Sequence, residues 1–125
     1  MLYVYLISVY QVCQENIMKI AIIGSRSIQT VPISEYVTQG DEIVSGGAIG
    51  VDRCAAEYAH THGLKLTEIL PQYSRYGRGA PIVRNKEIVD YADKVIVFWD
   101  GRSRGTLSVI SLAKKLGKPY LVVYC

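Results

Sequence analysis

The stretch EIVSGGAIGVDRCAAEYAHTH, residues 42–62, decides the fold of this 125-residue chain. Its first four residues, Glu42–Ser45, have strand character and stop at two glycines. A helical pattern begins near Gly50 and ends at Gly63. One face of that helix carries Val51, Cys54, Ala55 and Tyr58. A strand that passes through glycines directly into an amphipathic helix is the first half of a βαβ unit, which predicts an α/β protein.

The rest of the chain repeats this alternation. The other predicted strands are Lys19–Ile23, Leu66–Leu70, Lys94–Trp99 and Pro119–Tyr124. The predicted helices are Val31–Gln39, Gly50–His62, Pro81–Tyr91 and Gly105–Leu116. Alternating elements of this kind predict a Rossmann-like three-layer sandwich with a parallel five-stranded sheet. Right-handed crossovers favour the strand order 3-2-1-4-5, with the topological switch point between strands 1 and 4.

Composition limits the class of protein. Half of the residues are apolar and a fifth are charged, which argues against disorder, and the length suits one domain. A net charge of +3 is too small to identify a nucleic-acid-binding protein by itself. The three cysteines, Cys13, Cys54 and Cys125, are odd in number and form no CxxC pair. We therefore expect no disulfide framework, no metal site and a cytoplasmic location.

The first seventeen residues stand apart from this pattern. Met1–Val12 is apolar, but it is shorter than the roughly 20 residues that a membrane helix needs. It also lacks the basic start and the cleavage site of a secretory signal. The α/β pattern opens at Met18, so we predict a domain over Met18–Cys125. Met1–Ile17 is then an appendage, either an extra strand or the product of an upstream start, and no membrane partner is expected.

Three loops that follow predicted strands have the chemistry of an anion site. They are Gly24–Ser27 after strand 1, Ser45–Asp52 after strand 2 and Asp100–Thr106 after strand 4. Glycines let a backbone approach a ligand closely, and helix N-termini present unpaired N–H groups and partial positive charge. A single loop of this kind is as often a simple connection between a strand and a helix as it is a binding loop. Because all three leave the carboxyl edge of the sheet, together they predict a phosphate-binding cleft against the helices that follow Gly47 and Arg104.

The positions of the basic residues also point to the carboxyl edge of the sheet. All the arginines follow strands 1 to 4: Arg26, Arg53, Arg75, Arg78, Arg84, Arg102 and Arg104. Most lysines precede or open strands instead. Arginine near a helix N-terminus opposes the helix dipole, so an anionic ligand held bidentately is a better explanation than chance.

Two acids, Asp52 and Asp100, fall on this edge and are the candidates for a catalytic residue. Asp52 is either a helix cap or a partner for a ribose hydroxyl. Asp100 is either a turn residue before Gly101 or a second functional carboxylate. Trp99 is either a core residue or a stacking platform for a base. Tyr73 and Tyr76 are either stacking residues or part of a surface lid.

Three blocks together resemble a known group: GSR at 24–26, SGGAIGVDRCAAEYA at 45–59 and RNKEIVDYADKVIVFWDGRSRGT at 84–106. They are similar to the SLOG superfamily, the Rossmann-like fold shared by DprA/Smf and LOG proteins, and most similar to its YspA-like branch. The resemblance covers Met18–Cys125 and implies a nucleotide or nucleotide derivative in the cleft. With the arginine and loop patterns, the candidate binding residues are Gly24, Ser25, Arg26, Gly46, Gly47, Gly50, Asp52, Arg84, Asn85, Asp100, Ser103, Arg104, Gly105 and Thr106.

The same resemblance leaves the activity open. LOG enzymes carry the motif GG-x-GT-x-x-E, and here the matching stretch, Arg102–Val109, has lost the glycine pair and holds Val109 at the position of the catalytic Glu. We therefore favour a nucleotide-binding sensor or small processing module that needs no cofactor beyond that ligand. The alternatives are a nucleotide-derivative hydrolase that uses Asp52 or Asp100, and single-stranded nucleic-acid binding of DprA type, which is less favoured. The sequence leaves open whether the chain forms a homo-oligomer.

Overall fold

The computed structural model describes residues 17–125, so the predicted appendage lies almost entirely outside the described residues. The strands are β1 (Lys19–Gly24), β2 (Glu42–Ser45), β3 (Leu66–Glu68), β4 (Lys94–Trp99) and β5 (Tyr120–Tyr124). The α-helices of this part of the chain are α1 (Val51–His62), α2 (Tyr73–Tyr76), α3 (Ala80–Tyr91) and α4 (Arg104–Lys115). Short 3-10 helices cover Ile33–Glu35 and Gly77–Gly79.

The strands form one parallel sheet in the order β3-β2-β1-β4-β5, as the sequence predicted. β1 lies at the centre, where Ala21 is opposite Val44 of β2 and Val95 of β4. The chain therefore crosses over to one side of β1 for β2 and β3, and to the other side for β4 and β5. The switch point falls between β1 and β4, and their carboxyl ends open onto the same edge.

The core has two halves because alternate residues of a strand point to opposite faces of the sheet. Ile20 and Ile22 pack on one face with α1 and the side chain of Phe98. Ala21 and Ile23 pack on the other face with α3 and α4. A strand buried on both faces explains why KIAII is a continuous apolar run rather than an alternating one. The arrangement is the predicted three-layer sandwich.

The helix predicted over Val31–Gln39 is wrong, since only a 3-10 helix at Ile33–Glu35 forms there. Oδ2 of Asp41 accepts hydrogen bonds from the N–H and the hydroxyl of Thr38, at 2.8 and 3.1 Å. These bonds give the backbone an alternative to a helix, and the β-branched residues of the segment favour helix weakly. The third strand also stops early, at Glu68, and the polar stretch after it contains the single turn of α2. Within residues 17–125, no helix has the length and apolar character needed to cross a bilayer.

Candidate functional site

A cleft of about 140 Å³ opens at the carboxyl ends of β1 and β2, between the first turns of α3 and α4. Most of the binding residues expected from the sequence line it: Gly24, Arg26, Gly46, Asp52, Arg84, Asn85, Ser103, Gly105 and Thr106. Gly24 brings the walls together, because a Cβ at this position would lie 2.5 Å from both the carbonyl oxygen of Phe98 and Cγ2 of Val51. Absence of a side chain there lets β1 end directly against β4 and α1.

Arg84 ties α3 to the loop after β2. Its Nη1 donates to the carbonyl oxygen of Gly46 at 2.7 Å, and its Nε donates to Oδ1 of Asn85 at 3.0 Å. A Cβ at Gly46 would lie 2.8 Å from that Nη1 and 2.9 Å from Oδ2 of Asp52. The guanidinium therefore occupies the space that a side chain at residue 46 would fill. This fixes a delocalised positive charge in the wall of the cleft, with further N–H groups to offer.

Asp52 is a buried carboxylate in the first turn of α1, only 5% exposed. Its Oδ2 accepts a hydrogen bond from the N–H of Ala48 at 3.2 Å, whereas Oδ1 has no partner among residues 17–125. Burial raises the pKa of Asp52, and the Ala48 N–H and the nearby Arg84 guanidinium act in the opposite direction. The negative charge of Asp52 offsets the partial positive charge at the N-terminus of α1. A ligand anion would therefore be stabilised little by binding at this helix end.

The N-terminus of α4 is different, because its first turn contains no acid. The Ser103 hydroxyl caps the helix by accepting a hydrogen bond from the Thr106 N–H at 3.3 Å. Nε1 of Trp99 donates a hydrogen bond to the carbonyl oxygen of Ser103 at 3.0 Å. The N–H groups of Arg104 and Gly105 have no acceptor in the described part of the chain, as is usual for a first helical turn. This end of α4 keeps its partial positive charge and borders the cleft through Gly105.

Asp100 and Ser25, two predicted site residues, do not line the cleft but brace the loops beside it. Asp100 accepts from the N–H groups of Ser103 and Arg102, at 2.9 and 2.8 Å, and from the Ser27 hydroxyl at 2.7 Å. These bonds lower the pKa of Asp100, so it stays ionised. The buried Ser25 hydroxyl accepts from the Asp100 N–H at 3.2 Å. The geometry fits the turn-forming alternative for Asp100.

The other predicted site residues lie around the cleft rather than in it. Gly47 and Gly50 have φ of 72° and 78° and border neighbouring clefts. Arg104 is exposed and is not part of the lining. Tyr73 and Tyr76 lie exposed on α2, also outside the lining. Within residues 17–125, no cluster of three or more His, Cys, Asp or Glu side chains could hold a metal ion.

The sequence reasoning missed the apolar part of the wall, which consists of Ile23, Ile88 and Val109, and also Ala48 and Pro81. Helical periodicity places Ile88 and Val109 on the inner faces of α3 and α4, which is a signal for the core more than for a ligand. The motif comparison with LOG enzymes points to Val109 only as a replacement for their glutamate. In the structure Val109 is 1% exposed and belongs to the apolar wall of the cleft.

No family model and no curated protein matches the chain. Among solved structures, its structure is similar to that of DNA processing protein A (DprA) from Helicobacter pylori, a protein that binds single-stranded DNA. The identity is 27% and the TM-score is 0.64. The fold is DprA-like. The match covers 84% of this chain and 64% of the DprA chain, so this chain spans less than two thirds of its neighbour's length.

Proposed function

We propose that the cleft binds a nucleotide or nucleotide derivative through its phosphate. The observation that carries the proposal is that Arg84 and Gly105, whose N–H in the first turn of α4 has no acceptor among residues 17–125, border one cleft. Helix N-termini favour anions, and arginine adds charge-assisted hydrogen bonds to phosphate oxygens. Asp52 occupies the corresponding position at α1, so the phosphate belongs at α4 rather than between both helices.

The size of the cleft limits how much of the ligand it takes. Its volume of about 140 Å³ is below the roughly 300–1,000 Å³ of most small-molecule pockets. One phosphate or one ring fits, and the rest of the nucleotide must extend past the rim at Arg26. Asp52 is the residue that we propose to accept a hydrogen bond from a ribose hydroxyl near the bound phosphate.

The role proposed is binding, as a sensor or small nucleotide-processing module, without a catalytic residue. Asp100 is a poor acid or base because its hydrogen bonds hold it ionised, and Val109 offers no proton-transfer group. Asp52 is then the remaining candidate for a hydrolase. Assignment to the SLOG superfamily is supported by the DprA-like fold, while the YspA-like branch and a cytoplasmic location are predictions from the sequence.

Single-stranded nucleic-acid binding is the second candidate function. The observation that favours it is the structural similarity to DNA processing protein A, which binds single-stranded DNA. Basic residues near the cleft would then contact successive phosphates, and the exposed Tyr73 and Tyr76 would stack on bases. Binding of this kind weakens steeply with salt, roughly in proportion to the number of phosphates neutralised.

Calorimetric titration tests the first proposal. Nucleoside 5′-monophosphates and the matching nucleosides are titrated into the wild type, Arg84→Ala and Arg102→Ala. Arg102 is an exposed arginine outside the cleft, so its replacement removes the same charge without touching the site. We expect Arg84→Ala to lower monophosphate affinity about 10- to 100-fold, since a charge-assisted hydrogen bond is worth roughly 1.5–3 kcal/mol.

Equal binding of nucleoside and monophosphate, or wild-type affinity in Arg84→Ala, would contradict the proposal. Titration of an unstructured oligonucleotide at two salt concentrations separates the second candidate. If the oligonucleotide binds with a steep salt dependence and no monophosphate binds, single-stranded nucleic acid is the better assignment.

A further inference from the structure

A second cleft, of about 360 Å³, adjoins the first and shares Arg26 with it. Its other cation is Arg53 in the first turn of α1, and Glu57 of the same helix is its acid. Ile49, 54% exposed, adds apolar surface at its edge. The volume of this second cleft lies within the range of small-molecule pockets, unlike that of the first.

Gly50 lets the loop that carries Arg26 lie against the start of α1, which carries Arg53. Its φ of 78° belongs to the left-handed region, and a Cβ there would lie 2.7 Å from Cα of Arg26 and from the carbonyl oxygen of Ser25. Only a glycine lets the loop after β1 rest on the turn before α1 at this distance. The contact places Arg26 beside the first turn of α1, where Arg53 lies.

Neither arginine forms an ion pair within the part of the chain that the structure describes. Among residues 17–125, no acid lies within ion-pair distance of Arg26 or Arg53. Glu57 is four residues after Arg53, a spacing that favours a helical ion pair, yet the two do not form one. Arg53 also opposes the dipole of α1. The lining of the cleft holds these two cations and one acid, Glu57, so it carries a net positive charge that a bound anion would complement.

We propose that the cleft between Arg26 and Arg53 is a second phosphate subsite, so that the ligand carries two phosphates linked through one nucleoside. This rests on the proposed function, which places the first phosphate at Arg84 and α4. Arg26 borders both clefts and contacts the ligand where it passes from one to the other. The exposed face of Ile49 offers apolar contact to the base. A nucleoside bisphosphate, a dinucleotide and a strand segment all share this chemistry.

The test compares a nucleoside 5′-monophosphate with the nucleoside 3′,5′-bisphosphate that differs from it by one phosphate. Both are titrated into the full-length wild type, Arg53→Ala, Arg84→Ala and the control Arg102→Ala. We expect the wild type to bind the bisphosphate about tenfold tighter or more, the value of one charge-assisted contact. Arg53→Ala should lose that gain and keep wild-type affinity for the monophosphate. Arg102→Ala should match the wild type for both.

The outcomes separate the two proposals. If Arg53→Ala keeps the bisphosphate gain, or weakens both ligands equally, the second subsite is overturned. If Arg84→Ala binds the monophosphate as the wild type does, the proposed function fails whatever Arg53→Ala shows. Misfolding does not confuse the result, because Arg53 is exposed, and its removal takes a cation from a helix N-terminus. Equal melting temperatures of the variant and the wild type check this directly.

Discussion

Nη1 of Arg84 donates a 2.7 Å hydrogen bond to the carbonyl oxygen of Gly46, across 38 positions of sequence. The bond joins α3 to the loop after β2 and holds the guanidinium over a glycine. The absence of a side chain at Gly46 is therefore what makes room for the Arg84 guanidinium. Anything larger at residue 46 must displace the charge that we assign to the phosphate.

Gly46→Ala should therefore weaken phosphate binding although it removes no charge. The added Cβ would lie 2.8 Å from Nη1 of Arg84, so the guanidinium must move. We expect a loss of about 10- to 100-fold in monophosphate affinity, similar to that of Arg84→Ala. Gly79→Ala is the control, since nothing lies within 4 Å of a Cβ at that position. Calorimetry that finds wild-type affinity in a folded Gly46→Ala protein would show that the position of Arg84 is unimportant.

The buried charge of Asp52 predicts a pH dependence of stability. Its pKa is raised in the folded state above the ordinary 3.8, so the folded chain binds more protons than the unfolded chain between the two values. Stability contributed by this residue is therefore lost as pH rises from about 3.8 through the raised pKa. Asp52→Asn keeps an oxygen for the Ala48 N–H and removes the titration. The melting temperature of Asp52→Asn relative to the wild type should rise with pH across this window.

For a domain of this size, a change in stability of about 1 kcal/mol moves the melting temperature by several degrees. Thermal unfolding in a series of buffers from pH 3.5 to 7 measures the difference. A difference that stays constant, or falls as pH rises, would mean that the Arg84 charge compensates the burial of Asp52.

Asp100 should behave with the opposite sign. Its pKa is lowered by the N–H groups of Ser103 and Arg102 and the Ser27 hydroxyl, so its contribution is complete above the ordinary value of 3.8 and is lost as pH falls below it. Asp100→Asn should be less stable than the wild type at pH 7, and the gap should narrow below about pH 3.8. The same melting series provides the measurement. If the melting temperatures of Asp100→Asn and the wild type differ equally at pH 7 and pH 2.5, the negative charge of Asp100 does not contribute to stability.

The domain beginning at Met18 is expected to fold without the residues before it. The Met18 N–H donates to Oδ1 of Asp41 at 3.0 Å, and Asp41 is 3% exposed. In a chain that starts at Met18, the terminal ammonium would still donate to Asp41 and would add a favourable charge. Melting temperatures of the two chain lengths should agree within a few degrees. A short form that melts far lower, or is insoluble, would make residues 1–17 an integral part of the domain.

The local pattern of the sequence determined the strands, the strand order and the three loops of the cleft. Continuous apolar runs such as Ile20–Ile23 and Val95–Phe98 specify strands buried on both faces, and the glycines after them specify where the chain turns. It failed at Val31–Gln39, where Asp41, outside the segment, takes the Thr38 donor away from a helix. The bond joins residues only three apart, but hydrophobic periodicity gives no sign of bonds between side chains and backbone.

Only the tertiary structure decided which members of similar pairs belong to the cleft. Arg84 and Arg104 both follow helix starts, yet only Arg84 lines it. Asp52 and Asp100 are equivalent candidates in the sequence, yet Asp52 is buried with an oxygen that has no partner among residues 17–125, whereas Asp100 is half-buried and both of its oxygens accept hydrogen bonds. The physical reason is that sequence periodicity specifies which face of an element is apolar. The direction of a polar side chain depends on which loop packs against it from a distant part of the chain.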